Sequence, residues 1–197
     1  MRAVFGLGNP GLEYAVTRHN LGFQVLDLYR KLYRTRQRGY LTCSSLIYRL
    51  GDFLLVKPLT FMNASGEAVQ AVVARFELSL ANTLVIYDDL DLPFGRIKIL
   101  PGGGAGTHKG MLSVLSVLAR EDIPRLRIGI GTEPRPGDTL DYVLGRFTPQ
   151  EWQALFPTLK RAAEAVEVFR SSGIHRAMNT FNPREQEVAG EGDNSIL

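Results

Sequence analysis

Along the chain, short apolar runs alternate with stretches whose apolar residues recur every three or four positions. The first pattern predicts strands, and the second predicts helices buried along one face. Residues 2–7 form an apolar run and predict a strand. Residues 17–33 place Leu21, Val25, Leu28 and Leu32 on one helical face. Residues 44–50 and 53–58 flank Gly51-Asp52 and predict a hairpin. Residues 64–76 carry Ala68, Val69, Val72 and Val73 at helical spacing, and 109–119 carry Leu112, Leu115 and Leu118. Strands are predicted at 83–88, 96–100 and 125–130. Thr148-Pro149-Gln150-Glu151 marks a helix start, with a threonine cap, proline in the first turn and glutamate at the capping-box position. That helix runs to about residue 171, where Gly173 suits its stop, and a short helix covers 174–181. The alternation predicts a single-domain α/β three-layer sandwich, a mixed and mostly parallel twisted sheet flanked by helices. The domain is expected over 1–188, with 189–197 as a flexible acidic tail.

A chain of 197 residues with 45% hydrophobic content fits one globular domain with a full core. Cys43 is the single cysteine. It has no disulfide partner within the chain, which suits a reducing compartment. No signal-peptide pattern opens the sequence, and no apolar run is long enough to span a bilayer. A cytoplasmic protein with no membrane partner is the expectation. Net charge is +3, a weak hint of an anionic partner. The distribution says more, since residues 1–60 hold nine Lys/Arg against three acids. A solvated helix end followed by a basic loop explains this as well as a nucleic-acid footprint does.

The polar residues gather where predicted strands end, which is where ligands bind in such sheets. Gly8-Asn9-Pro10-Gly11 follows the first strand, Thr60-Phe61-Met62-Asn63 follows residues 53–58, and Asp88-Asp89-Leu90-Asp91 follows residues 83–87. Gly6-Leu7-Gly8-Asn9-Pro10-Gly11 matches a dinucleotide-binding pattern. However, Pro10 removes a backbone donor, the helix does not open at once, and no acid ends a second strand at the required distance. Elbow serine, zinc and P-loop motifs are missing. What remains is a histidine that activates water, oriented by a carboxylate. His19 sits at the start of the first predicted helix, where the helix dipole would lower its pKa and leave a neutral base. The glycine-rich segment 102–110 runs into a helix start that favours anions. Beside it, Arg96 and Lys98 share one strand face and Arg125 and Arg127 another. These four cations suggest either a phosphate clamp or ordinary exposed strand charge.

Together these motifs resemble the bacterial-type peptidyl-tRNA hydrolases. The carrying residues are the segment Gly6 to Gly11, Tyr14 with Thr17-Arg18-His19-Asn20, Thr60 to Gly66, Tyr87 to Pro93 with Gly95, His108-Lys109-Gly110, and Arg125 to Gly131. Each is weak alone, and in this order they are specific. The resemblance implies a monomer that hydrolyses the ester between an N-blocked peptide and the 3′ end of tRNA, without metal or cofactor. It implies His19 as general base and Asp88 as its orienting carboxylate. Asn9 and Asn63 would bind the peptide main chain. Tyr14, Phe61, Met62, Gly106 and Lys109 would line the substrate site, and Lys98 and Arg127 would clamp the 5′-phosphate. Two departures stand out: Lys109 occupies a position where the family usually has asparagine, and Leu100 replaces a basic residue. The rival readings are a non-catalytic RNA-binding protein on the same fold and a nucleotide-binding enzyme.

Overall fold

The computed structural model describes residues 1–182; the acidic tail expected at 189–197 lies outside the described residues. The strands are β1 (Arg2–Gly6), β2 (Tyr40–Thr42), β3 (Ser45–Leu50), β4 (Phe53–Pro58), β5 (Thr83–Pro93), β6 (Ile97–Leu100) and β7 (Arg125–Gly131). They form one sheet in the order β2-β3-β4-β1-β5-β7-β6. The central neighbours β4, β1, β5 and β7 run parallel, while the outer pairings are antiparallel. The helices are α1 (Leu21–Leu32), α2 (Ser65–Arg75), α3 (Lys109–Leu118), α4 (Thr139–Leu144), α5 (Pro149–Ser172) and α6 (Ile174–Phe181).

Strand alternation divides the core into two layers. Val4, Leu55, Leu84, Ile86, Leu126 and Ile128 face α1, α5 and α6. Ala3, Phe5, Leu54, Val56, Val85 and Tyr87 face α2 and α3. The central strands are buried on both faces, as expected of parallel strands covered by helices, and each fully buried aliphatic contributes roughly 1.5–3 kcal/mol. Among the described residues no helix is long and apolar enough to cross a membrane.

Several predicted elements appear with altered bounds. The expected helix at 17–33 divides into a short 3₁₀ turn, Arg18–Asn20, and α1. Tertiary bonds hold that turn away from regular helix: the Arg18 N–H donates to the Gly145 carbonyl, and the Asn20 side chain is committed to the loop at Asn9. Strand β5 continues past Asp88 to Pro93, because β7 pairs with it through a register shift between Asp89 and Pro93. The predicted capping box is present. The Thr148 hydroxyl accepts the Glu151 N–H, and the Glu151 carboxylate accepts the Thr148 N–H. The short elements β2 and α4 lie outside the predicted set.

One close approach seats the first helix. A Cβ on Gly22 would lie 2.3 Å from the Leu7 nitrogen and 2.5 Å from the Ile86 oxygen. Only glycine permits the first turn of α1 to rest directly on β1 and β5, and the turn just before it carries His19.

Candidate active site

Strands β1, β4 and β5 are parallel neighbours, so their carboxyl ends open on one edge of the sheet. His19, Asp88 and His108 meet at this edge as buried side chains at 7%, 2% and 7% exposure. They border a pocket whose other walls are Asp89, Leu90, the loop at Thr107 and Lys109, and the segment from Arg135 through α4 to Val143.

Nδ1 of His19 lies 3.0 and 2.9 Å from the two carboxylate oxygens of Asp88. An ionised carboxylate only accepts hydrogen bonds, so Nδ1 carries the proton and Nε2 keeps its lone pair. Burial, the largest influence, pulls the His19 pKa down. The charge and hydrogen bond of Asp88 together outweigh it and hold that pKa above its ordinary value, with Lys109 opposing. The helix dipole was expected to lower it, but the buried carboxylate in direct contact dominates a partial charge. Asp88 itself is pushed up by burial, yet the imidazoles of His19 and His108 keep it well below the usual carboxylate range.

His108, to which the sequence assigned no role, joins this centre. Its Nδ1 accepts the Met111 N–H at 3.0 Å, capping α3. That bond fixes the tautomer, so Nε2 bears the hydrogen and points to Asp88 Oδ1 at 3.3 Å. The two imidazole rings stand 4.8 Å apart, edge to face. One carboxylate thus receives two imidazole N–H groups. Potential ligand atoms of all three side chains lie within 4.8 Å of one another, a spacing that could suit a metal ion. In this arrangement both nitrogens facing Asp88 hold protons, and His108 could offer Nε2 only by giving up its cap on α3.

The other predicted site residues are placed as follows. The Asn9 side chain is buried, and its Oδ1 accepts the Met62 N–H at 2.8 Å. Asn20, which the sequence left without a role, braces this loop by two bonds to the Asn9 backbone. Met62 is buried under the start of α3, where a Cβ on Gly110 would meet its sulfur at 2.3 Å. Asn63 and Phe61 are exposed, the latter at 59%, and Tyr14 is half-buried. Lys109 and Gly106 are exposed in and beside the pocket rim.

Lys98 and Arg127 are direct partners across β6 and β7. Arg127 is held by Asp89 at 2.5 Å, and Asp89 therefore faces away from its neighbour Asp88, as strand alternation requires. The expected set of four cations is corrected at Arg125. It is 1% exposed and donates to the carbonyls of Ile123, Gly104 and Glu121, anchoring the glycine-rich loop instead of meeting a ligand. A run of alternating basic residues does not reveal which one turns under a loop.

Arg18 joins the turn carrying His19 to the pocket wall. Its guanidinium donates to the Tyr142 and Arg146 carbonyls, pairs with Glu151 at 2.7 Å, and stacks 4.2 Å from the centre of the Tyr142 ring. At the start of the same wall, Arg135 pairs with Asp91.

A model of the peptidyl-tRNA hydrolase family matches residues 3–189. A peptidyl-tRNA hydrolase of Carboxydothermus hydrogenoformans is 48% identical over 186 residues, covering 92% of this chain and 98% of the relative. One from Chloroflexus aggregans is 46% identical over 187 residues, covering 93% and 100%. The crystal structure of peptidyl-tRNA hydrolase from Acinetobacter baumannii superposes with a TM-score of 0.83 at 30% identity, covering 92% of this chain and 94% of that one. With the sheet, the buried histidine–carboxylate centre and these matches in agreement, the chain belongs to the peptidyl-tRNA hydrolase family.

Proposed function

We propose that His19 is the general base for hydrolysis of the ester joining an N-blocked peptide to the 3′ end of tRNA, and that Asp88 orients it. The carrying observation is the bond from His19 Nδ1 to Asp88, which leaves Nε2 as the nitrogen able to act in the pocket. Nε2 takes a proton from water as the water oxygen bonds to the ester carbonyl carbon. The tetrahedral intermediate then expels the ribose oxygen, which recovers that proton from His19. The products are a peptide acid and free tRNA, ready for reuse. Asp88 stabilises the imidazolium that forms between the two steps.

Asn9 and Asn63 take the peptide main chain, and Tyr14, Phe61, Met62 and Gly106 lie along the substrate path. Lys109 brings a cation to the pocket and is suited to the oxyanion or to a phosphate near the 3′ end. Lys98 and Arg127 hold the terminal 5′-phosphate, with bidentate donors from arginine and a compact charge from lysine. Every group in this scheme comes from one chain, so a monomer suffices, and the single cysteine fits work in the cytoplasm.

The test is release of free tRNA from N-acetyl-aminoacyl-tRNA by purified protein, with the unblocked ester as control. Turnover of the blocked ester that is lost in His19→Ala, with tRNA binding retained, supports the scheme; near-normal turnover in that variant removes it.

A further inference from the structure

The cations at the end of α1 and just after it are not used by the pocket. Between Asp27 and Asp52 the sequence contains no acid, and the end of α1 with the segment after it carries Arg30, Lys31, Arg34, Arg36 and Arg38. Apart from Arg30, which is half-buried, these cations are exposed, and among the described residues none of the five forms an ion pair. The carbonyl end of the helix dipole accounts for cations at Arg30 and Lys31. It does not account for three arginines beyond the helix, at alternate positions with no acid between them.

Aromatic rings are interleaved with them. The Arg30 guanidinium lies 3.6 Å from the centre of the Tyr48 ring and donates to the Gln37 carbonyl, which ties the segment back to the helix. Tyr33 and Tyr40 are each 40% exposed. Arginine offers planar forked donors for phosphate, and exposed rings offer a stacking surface, the combination that nucleic-acid-binding surfaces use. The position is also distinctive. The 12 residues of α1 separate the surface from His19 by about 18 Å along the helix. Laterally, β2 and β6 occupy opposite edges of the sheet. Five to six strand spacings, about 24–29 Å, lie between this surface and the phosphate-binding pair proposed on β6 and β7.

We propose that the end of α1, residues 33–39 and the edge strand β2 form a second RNA-docking surface. It grips the phosphate backbone without reading sequence, and its occupant is an RNA other than the tRNA whose ester lies at His19. The inference draws on the family's RNA substrate but does not depend on the role assigned to His19.

The experiment measures binding of a short RNA hairpin without any 3′ ester, by fluorescence anisotropy across a range of potassium chloride concentrations. Arg34→Glu/Arg36→Glu/Arg38→Glu should weaken binding about tenfold or more and flatten the salt dependence by roughly two units of slope. The same protein should hydrolyse full-length N-acetyl-aminoacyl-tRNA with unchanged kcat and KM. The Gln triple at these positions serves if the reversed charges prevent folding, and should give a smaller loss in the same direction. Unchanged hairpin binding in a folded variant overturns the proposal. A rise in KM for full-length tRNA matching the loss of hairpin affinity also overturns it, because the surface would then belong to the substrate's own body. The hairpin assay involves no ester cleavage, so its result stands whether or not His19 is the base.

Discussion

Oδ1 of Asn9 accepts the backbone N–H of Met62 at 2.8 Å, so the amide nitrogen is the part of that side chain left to donate to a substrate. Half of the side chain holds two strand-end loops together, and half is available for recognition. Asn9→Asp keeps an acceptor for Met62 but replaces the free donor with a charged oxygen. Asn9→Asp should therefore retain stability while losing the preference for blocked over unblocked ester, since a site built on a specific hydrogen bond discriminates strongly. Asn9→Ala should lose both. Measured preference ratios and melting temperatures decide; an Asp variant with an unchanged ratio would limit Asn9 to a structural part.

The pH dependence follows from the His19–Asp88 pair. The base works when neutral, and its pKa is raised. The rate should therefore climb with pH along a limb centred above the ordinary histidine value, and fall away below it as the ring is protonated. Asp88→Asn removes the charge that raises the pKa, so burial should then carry the limb to lower pH. The plateau should fall by about 10²-fold or more, and Asp89→Asn should do far less. A limb that stays in place in Asp88→Asn contradicts the pairing.

His108 can be separated from its cap. Asparagine is a good N-cap residue, yet its side chain is too short to reach Asp88 from that position. His108→Asn should keep α3 and the melting temperature close to normal. With one donor withdrawn, the Asp88 charge falls more fully on His19, so the limb of kcat/KM should move to higher pH. A large loss of stability without a shift would mean that His108 serves only to cap the helix.

The phosphate pair makes a prediction about substrate size. Lys98→Glu or Arg127→Glu should raise KM for full-length tRNA and hardly alter cleavage of a 3′ fragment lacking the 5′ end. Asp89→Asn frees Arg127 from its carboxylate partner and should tighten binding of full-length tRNA. Equal effects on both substrates would place the 5′-phosphate elsewhere.

Arg18 gives a stability prediction. Its side chain is 8% exposed, and it bonds two carbonyls and Glu151. Arg18→Ala leaves those acceptors short of a donor and should cost about 2–3 kcal/mol. The cost should appear as a lower urea midpoint with an unchanged slope.

Much of this was legible in the sequence because the informative signals are local. The Thr148–Glu151 capping box lies within four residues, and spacing alone places Leu21 and Val25 on the buried face of α1, although Leu32 at its end is exposed. The motifs at Asn9, His19 and Asp88 pointed to the edge of the sheet where the buried histidine–carboxylate centre lies. Long-range choices were less visible. Nothing near Arg125 indicates that it turns inward to the Gly104 carbonyl, and nothing near His108 reveals a carboxylate 20 positions earlier. Strand β2 has three residues and helix α4 six, too few for a periodicity to register.

The arrangement of the pocket has a consequence for how activity is gained and lost during folding. Its buried centre joins residues 69 and 20 positions apart, and one wall comes from α4, beyond the last strand. His19 follows β1, Asp88 lies in β5 and His108 precedes α3, so no short contiguous fragment contains the centre. Ester cleavage should then appear only after the non-local pairings of β1, β5 and β7 close, which is the slow class of event in chain folding. Recovery of activity on dilution from urea should lag behind the return of helical circular dichroism and coincide with burial of the central sheet. In this protein the hydrolytic assay is a clock for the last step of assembly.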